Sequence, residues 1–211
     1  MASHLTAVGL VEVLGLPPAV VVADAMVKAA QVRLISLEVN TLGAMMVKVE
    51  GETGAVRAAY EAGVAMAESL GAKVGASLVP HYAEGARGIM IDRCPSVSKL
   101  LSSRNQLIPA EAAASSDGEA LGFVETRGYL GSVVALDAMS KAAEVRLVAK
   151  EKIGQTRSAM LIRGDVAAVR AAVDAGRAAA EAVSTVFSAH VIPRPDAVIM
   201  ALFEPAPASP G

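Results

Sequence analysis

Acidic residues at repeated positions are the first candidates for chemistry, because two carboxylates can share the roles of general acid and general base. Three pairs recur 113 residues apart: Glu12 and Glu125, Asp24 and Asp137, Glu38 and Glu151. Recurrence in both halves of a chain is typical of scaffold positions. Asp24 also has the i, i+4 spacing to Lys28 of an ion pair on a helix surface. We therefore interpret these acids as structural.

Cysteine, histidine and glycine patterns give no catalytic or metal site either. Cys94 is the only cysteine, which excludes an internal disulfide and fits a reducing interior. No histidine stands at a recognisable spacing from it, and His4, His81 and His190 share no metal-ligand spacing. The GARG stretch at 85–88 lacks the Lys-Ser/Thr of a phosphate-binding loop. The sequence predicts no enzyme, no cofactor and no metal.

Composition narrows the function classes further. The 211 residues carry a net charge of −2 and no tryptophan, which argues against nucleic-acid binding. The first residues lack the pattern of a signal peptide, and no apolar run is long enough for a membrane span, so we expect a cytosolic protein. Hydrophobic residues make up 54% and charged residues only 19%. This surplus of apolar surface predicts an oligomeric interface.

An internal repeat organises the chain. Residues 24–51 align without a gap with residues 137–164, and the alignment extends from Gly9 and Gly122 to Pro80 and Pro193. Roughly 40% of these positions are identical. The tetrapeptides at 40–43 and 153–156 share no residue. The sequence thus predicts two copies of one scaffold that differ at one loop.

Hydrophobic periodicity and turn residues predict the elements of each copy. In copy one these are a strand at 7–14, a helix from Pro17 to about 30, strands at 32–39 and 44–51, a helix at 54–70 and a strand at 74–79. Glu52 or Thr53 is expected to cap the second helix, as Asp165 does in copy two, and Gly71 to end it. This order is the βαββαβ of a ferredoxin-like α+β fold.

The repeat also predicts the domain organisation. We expect a first domain with a C-terminal extension at 1–112, a linker at 113–118, a second domain at 119–205 and a disordered tail at 206–211. A short helix around 97–101 is one interpretation of the extension.

Several motifs of copy two, and their order, resemble the shell-protein domain of bacterial microcompartments (BMC). They are VET in the first strand, DAMSKAA, the KIG loop, RGDVAAV and the ending VIPRP. Copy one matches through GLVEV, DAMVKAA and VEGETGAV, so the whole chain resembles the tandem-domain type of shell protein. The resemblance implies a homotrimer of six domains that mimics a hexamer. It also implies tiling with other shell proteins, hexamers and pentamers, in the shell of a cytoplasmic microcompartment.

The resemblance further implies a central pore for small metabolites, lined by the loop between the second and third strands. By alignment the pore-lining residues are Asn40, Thr41, Leu42 and Gly43 in copy one and Ile153, Gly154, Gln155 and Thr156 in copy two. It assigns Lys28, Lys141 and Arg194 to the edges of the tile. Copy one departs from the pattern, because VPHY at 79–82 replaces VIPRP.

Three alternatives stay open. Some tandem relatives hold an iron–sulfur cluster at the pore through a loop cysteine, but neither loop here contains cysteine. Others stack two trimers and gate a wide pore. A ferredoxin-like repeat is also compatible with a regulatory protein that senses a small molecule between its domains.

Overall fold

Two copies of one α+β unit make up the computed structural model, which describes residues 7–82 and 118–203. Domain 1 contains β1 (Ala7–Leu14), α1 (Leu16–Ala29), β2 (Arg33–Val39), β3 (Ala44–Gly51), α2 (Thr53–Ser69) and β4 (Lys73–Val79). Domain 2 contains β5 (Ala120–Arg127), α3 (Gly128–Ala142), β6 (Arg146–Ile153), β7 (Arg157–Gly164), α4 (Val166–Glu181), β8 (Val186–Ile192) and the short α5 (Ala197–Ala201). The element boundaries agree closely with those predicted from periodicity.

Each domain has one antiparallel sheet of four strands. The strand orders are β2-β3-β1-β4 and β6-β7-β5-β8, which are the orders of a ferredoxin-like fold. The predicted fold class is therefore confirmed. His4, Cys94, the helix considered at 97–101, linker residues 113–117 and the tail lie outside the described residues.

The 113-residue register holds in three dimensions. The Gly15 N–H donates to the Gly43 carbonyl at 3.0 Å, and the Gly128 N–H donates to the Thr156 carbonyl at 2.7 Å. Gly15 and Gly128 both have positive φ, which a residue without a β-carbon adopts without strain. The second strand of each domain shifts register at the equivalent place, after Leu34 and after Leu147. Any residue can therefore be compared with its equivalent 113 positions away.

Small residues allow the two long helices of each domain to pack closely. A β-carbon at Gly63 of α2 would lie 2.6 Å from Cγ of Met26 in α1. Gly176 of α4 stands in the same relation to Met139 of α3, at 2.5 Å. Real β-carbons do not approach other atoms so closely, so each methionine fills the space that a glycine leaves. The alanine-rich helices thus serve packing.

The N-terminus of α4 provides a stability test within the repeat. The Asp165 side chain accepts a hydrogen bond from the Ala167 N–H at 2.8 Å, whereas Glu52, its equivalent at the start of α2, makes no capping bond. We expect Asp165→Ala to lower the free energy of unfolding by about 1 kcal/mol. The control Glu52→Ala should lower the free energy of unfolding much less than Asp165→Ala does. Urea unfolding followed by circular dichroism measures both. Equal losses would contradict the capping assignment.

Candidate functional site

Helix α1 of domain 1 lies on the sheet of domain 2. It contacts β5, β8 and α5. Leu16 and Val20 of this helix belong to the same hydrophobic cluster as Phe123 and Ile192 of domain 2. Pro17 and Pro18 occupy the first turn, where a missing N–H costs no helical hydrogen bond. We call this contact the intrachain interface.

A buried carboxylate lies at the intrachain interface. Glu125 of β5 is fully buried, and its Oε2 accepts a hydrogen bond from Ser188 Oγ at 3.0 Å. Arg157 Nη1 lies 3.5 Å from Oε2, and the Leu16 N–H of α1 also donates to the carboxylate. Among the described residues, Oε1 has no hydrogen-bond partner. Burial raises the pKa of Glu125, while Arg157 and the hydrogen bonds act in the opposite direction.

The side chain of Arg157 depends on a glycine in the other domain. A β-carbon at Gly43 would lie 2.8 Å from Cδ and 3.0 Å from Nε of Arg157. The guanidinium lies over the ring of Phe187, 3.8 Å from its centroid, which is cation–π geometry. Gly43 therefore leaves the space through which Arg157 passes.

This cluster of Glu125, Arg157, Phe187 and Ser188 was not predicted as a unit. The repeat offered a signal, because three of its members differ from their equivalents. Arg157 stands where copy one has Ala44, Phe187 where it has Val74, and Ser188 where it has Gly75. Only the glutamate is common to both copies, as Glu12 and Glu125.

The loop tips that were predicted to line a pore lie side by side. A β-carbon at Gly154 would lie 3.7 Å from the backbone nitrogen of Gly43. Leu42 is almost fully exposed and has φ of 60°, a left-handed conformation that costs a residue with a β-carbon about 1 kcal/mol or more. Gln155 and Thr156 are also exposed. Three side chains of the predicted pore set thus face solvent at one place.

Other members of the predicted set are not exposed in the same way. The Asn40 side chain is half-buried and donates from Nδ2 to Glu12 Oε1 at 2.6 Å. Ile153 is fully buried in the hydrophobic cluster that spans both domains. The side chain of Thr41 lies outside the described part of the structure. Asn40 and Ile153 therefore anchor the two loops, and the side chains of Leu42, Gln155 and Thr156 remain exposed.

The residues that resemble a tile edge are placed differently in the two copies. Lys28 Nζ donates to the Arg194 carbonyl oxygen and to Asp24, and Asp24 also accepts from the Asp196 N–H at 2.7 Å. The structure therefore brings Lys28 and Arg194 together, across the intrachain interface. Lys141 pairs only with Asp137 among the described residues, at 2.6 Å. The Asp24 side chain is 10% exposed and the Asp137 side chain 63%.

Helix α3 is the equivalent of α1, but no domain covers it within residues 7–82 and 118–203. Val20 is fully buried, and the identical residue at the equivalent position of α3, Val133, is 41% exposed. Tyr129 and Leu130 are exposed, whereas their equivalents Leu16 and Pro17 are buried. Because the residue type at 20 and 133 is the same, the difference arises from what covers the helix.

Both copies of the repeat match the family model of the BMC domain, over residues 7–82 and 120–195. These two ranges make up most of the chain. The chain belongs to the BMC-domain family. The resemblance noted in the sequence is therefore confirmed, and the two domains described above are two BMC domains in tandem.

The relatives of this chain include a protein that matches nearly its whole length and a protein that matches about one domain's length. The carboxysome assembly protein CcmO of Synechococcus elongatus is 32% identical over 201 residues, which cover 94% of this chain and 69% of CcmO. The bacterial microcompartment shell protein PduA of Salmonella typhimurium is 56% identical over 77 residues, covering 36% of this chain and 82% of PduA. The chain is thus similar over nearly its whole length to one BMC protein and over one domain's length to another. These relatives are named as shell and assembly proteins, in agreement with the prediction of a non-enzymatic role.

A crystal structure of a microcompartments protein from Desulfitobacterium hafniense also matches. It is 29% identical, and the match covers 91% of this chain and 96% of that one, with a TM-score of 0.38. Such a score is too low to support an argument from the overlay.

The described residues form neither a metal-binding cluster nor a membrane-spanning helix. No group of three or more histidine, cysteine, aspartate or glutamate side chains comes together as a metal site there. No helix in the same part of the chain combines the length and apolar character needed to cross a membrane.

His190 gives a pH prediction within the second BMC domain. It is half-buried, and burial lowers its pKa, so the folded protein binds the proton less readily than the unfolded chain. Its contribution to stability is present above the unfolded pKa of about 6.5 and is lost as the pH falls below that value.

We expect the melting temperature to fall less in His190→Ser than in the wild type between about pH 7.5 and about pH 5. Serine is the residue at the equivalent position 77. The control His81→Ser removes an exposed histidine and should follow the wild type. Identical pH profiles for His190→Ser and the wild type would refute this assignment.

Proposed function

We propose that this protein is a structural shell protein of a bacterial microcompartment in the bacterial cytoplasm. Three copies form a ring of six BMC domains, which tiles with other shell proteins and surrounds a pore for small metabolites. The observation that carries the proposal is the difference between α1 and α3. Equivalent helical surfaces are buried against a BMC domain in one copy of the repeat and, among the described residues, uncovered in the other, so a further BMC domain fits on α3.

The direction of the contact supports a ring. Helix α1 packs on the sheet of the other domain, so the two partners use different surfaces, as in heterologous association. Within residues 7–82 and 118–203, each chain then retains one uncovered helix surface on α3 and one uncovered sheet surface on β1 and β4. Repetition of the intrachain contact between copies joins these two surfaces, and the joined chains close when the rotation adds up to a full turn.

The exposed loop tips are the proposed pore lining. Gly154 lies beside Gly43, the chain neighbour of Leu42, so three chains place three Leu42 side chains among three polar tips that carry Gln155 and Thr156. A ring of leucines narrows the opening with apolar atoms, and the polar tips offer hydrogen bonds. Such a lining favours small solutes of low charge, because an ion would lose hydration beside the leucines.

Leu42 permits a test of the pore that separates backbone strain from side-chain size. Leu42→Gly and Leu42→Ala both remove the apolar tip, but only glycine relieves the left-handed conformation. We expect Leu42→Gly to be more stable than Leu42→Ala by about 1 kcal/mol. Both variants should let a small charged solute enter purified shells faster than the wild type does. Unchanged entry in both would remove Leu42 from the pore lining.

Electron microscopy of assemblies tests the shell role. On co-expression with hexameric and pentameric shell proteins, we expect the protein to copurify within sheets or closed shells. Its absence from shells that form around it would contradict the proposal. The regulatory alternative predicts saturable binding of one metabolite in calorimetry, and no feature of the described residues favours it.

A further inference from the structure

We propose that the ring has two kinds of interface that are matched by side-chain size, so that the uncovered surfaces of one chain fit only a second copy in head-to-tail order. This inference rests on the proposed ring and identifies the residues that set the order of domains within it. Four surfaces carry the argument. They are the α1 surface (Leu16, Pro17, Val20 and the adjacent Gly43), the β5–β8 surface (Glu125, Arg157, Phe187, Ser188), the α3 surface (Tyr129, Leu130, Val133 and the adjacent Thr156) and the β1–β4 surface (Glu12, Ala44, Val74, Gly75).

At the intrachain interface, Gly43 of domain 1 faces the large side chain of Arg157 in domain 2. Gly43 and Leu16 lie on the side of the α1 surface. Arg157, supported by Phe187, lies on the side of the β5–β8 surface. The approach of Arg157 to Gly43 leaves no room for a β-carbon, as the 2.8 Å distance shows. Size at this interface is therefore divided unequally, with the bulk supplied by domain 2.

On the two uncovered surfaces the larger residues lie on the helix and the smaller ones on the sheet, which is the reverse of the intrachain interface. On the α3 surface, Thr156 stands at the position of Gly43, and Tyr129 at the position of Leu16. On the β1–β4 surface, Ala44 replaces Arg157 and Val74 replaces Phe187. Tyr129 is 57% exposed, with Lys150 Nζ 4.7 Å from its ring centroid, and Val74 is 55% exposed, so both side chains can contact a partner. The larger helix surface thus corresponds to the smaller sheet surface.

The equivalent glutamate at the proposed interface between chains has different neighbours from those of Glu125. Glu125 meets Arg157, but the equivalent glutamate, Glu12, has alanine at that position and accepts a hydrogen bond from Asn40 instead. In a second copy, the Tyr129 N–H takes the place that the Leu16 N–H holds at Glu125. The interface between chains therefore brings no arginine to the glutamate and leaves space where the arginine would be.

The same residues disfavour pairing of like domains, which would also require the intrachain interface to open. If an α3 surface met a β5–β8 surface, Thr156 would occupy the space through which Arg157 passes. If an α1 surface met a β1–β4 surface, Gly43 would face Ala44 and leave a cavity, which weakens an interface by the loss of contacts. Domains 1 and 2 must then alternate, which a ring built from whole chains satisfies at every interface.

Exchange of the matched residues tests this inference in the full-length chain. Ala44→Arg places the large residue of the β5–β8 surface on the β1–β4 surface, where it meets Thr156 of the next copy. We expect it to raise the dissociation constant of the trimer by about 100-fold or more. The double variant Ala44→Arg with Thr156→Gly recreates the intrachain pairing and should return the constant to within about tenfold of the wild type. Thr156→Gly alone should still form trimers.

A second pair of substitutions keeps the test valid if Ala44→Arg misfolds, since Ala44 is buried in its own domain. Val74→Phe changes an exposed residue, and its compensating change is Tyr129→Leu. Mass photometry over a dilution series measures the trimer, and circular dichroism verifies the fold. A wild type that remains monomeric would refute the ring itself. If the wild type is trimeric but the double variants dissociate as readily as the single variants, size matching is refuted and the ring is not.

Discussion

Replacement of Arg157 by alanine is expected to lower the free energy of unfolding by about 3 kcal/mol or more, because it leaves the fully buried Glu125 without its countercharge. The variant also removes the guanidinium that lies over Phe187. Urea unfolding followed by far-ultraviolet circular dichroism measures the loss. Wild type and variant must be compared at one protein concentration, because association adds to apparent stability.

The pH dependence separates this electrostatic effect from a simple loss of packing. Burial already raises the pKa of Glu125, so the folded state holds that proton more strongly than the unfolded state does. The associated stability is present at low pH and is lost as the pH rises through the folded pKa. Without Arg157 the pKa rises further, so the destabilisation should be larger at about pH 8 than at about pH 5.

The matched control is Arg177→Ala. Arg177 also pairs with a glutamate, Glu181, but both side chains are at least half exposed. Removal of such a surface pair should lower the free energy of unfolding far less than removal of the buried pair, because solvent screens the charges. Glu125→Gln in the Arg157→Ala background should restore part of the lost stability, since it removes the buried charge. An Arg157→Ala variant as stable as Arg177→Ala would contradict the role assigned to the buried pair.

Leu130→Asp is expected to abolish the trimer while the monomer stays folded. Leu130 is 66% exposed in the isolated chain, so the substitution costs little there. The proposed ring buries this leucine between copies, as Pro17 is buried at the intrachain interface. Its loss forfeits about 2 kcal/mol of apolar burial, and an unpaired carboxylate at the interface adds a desolvation cost. The dissociation constant should rise by about 100-fold or more, in sedimentation or mass photometry.

The control for this variant is Ala178→Asp on the outer face of α4. Its equivalent in domain 1, Ala65, stays exposed although α1 is covered by domain 2. Position 178 therefore lies outside the proposed interface between chains. Ala178→Asp should leave the trimer intact despite the same added charge. Equal dissociation of both variants would indicate a general effect of charge and contradict the assignment of the α3 surface.

The repeat and the hydrophobic periodicity were sufficient to predict the topology. Gly71 ends α2 with positive φ, and Asp165 caps α4, because turn and cap chemistry depends on neighbouring residues in sequence. Lys28 and Arg194 were assigned to edges by resemblance, and the structure joins them through the carbonyl oxygen of Arg194. That contact depends on how the domains meet, and spacing along the chain contains no information about it.

The intrachain interface could not be predicted from the repeat alone. Glu12 and Glu125 are equivalent in sequence, yet only Glu125 lies against the helix of the other domain. Equivalent residues predict that the two domains share a fold. They do not predict this asymmetry, which arises because α1 contacts the sheet of domain 2 and no equivalent contact of α3 exists among the described residues. The differences at positions 44 and 157, and at 43 and 156, were visible in the sequence. Their meaning required the distance between Gly43 and Arg157.

Native mass spectrometry of the purified full-length chain tests the central claim most directly. The subunit mass is 21.4 kDa, and the proposed ring predicts one dominant species at three times that mass. Leu130→Asp should shift it to the subunit mass. A wild type that stays at the subunit mass across the micromolar range, with the α3 surface uncovered, would contradict the ring.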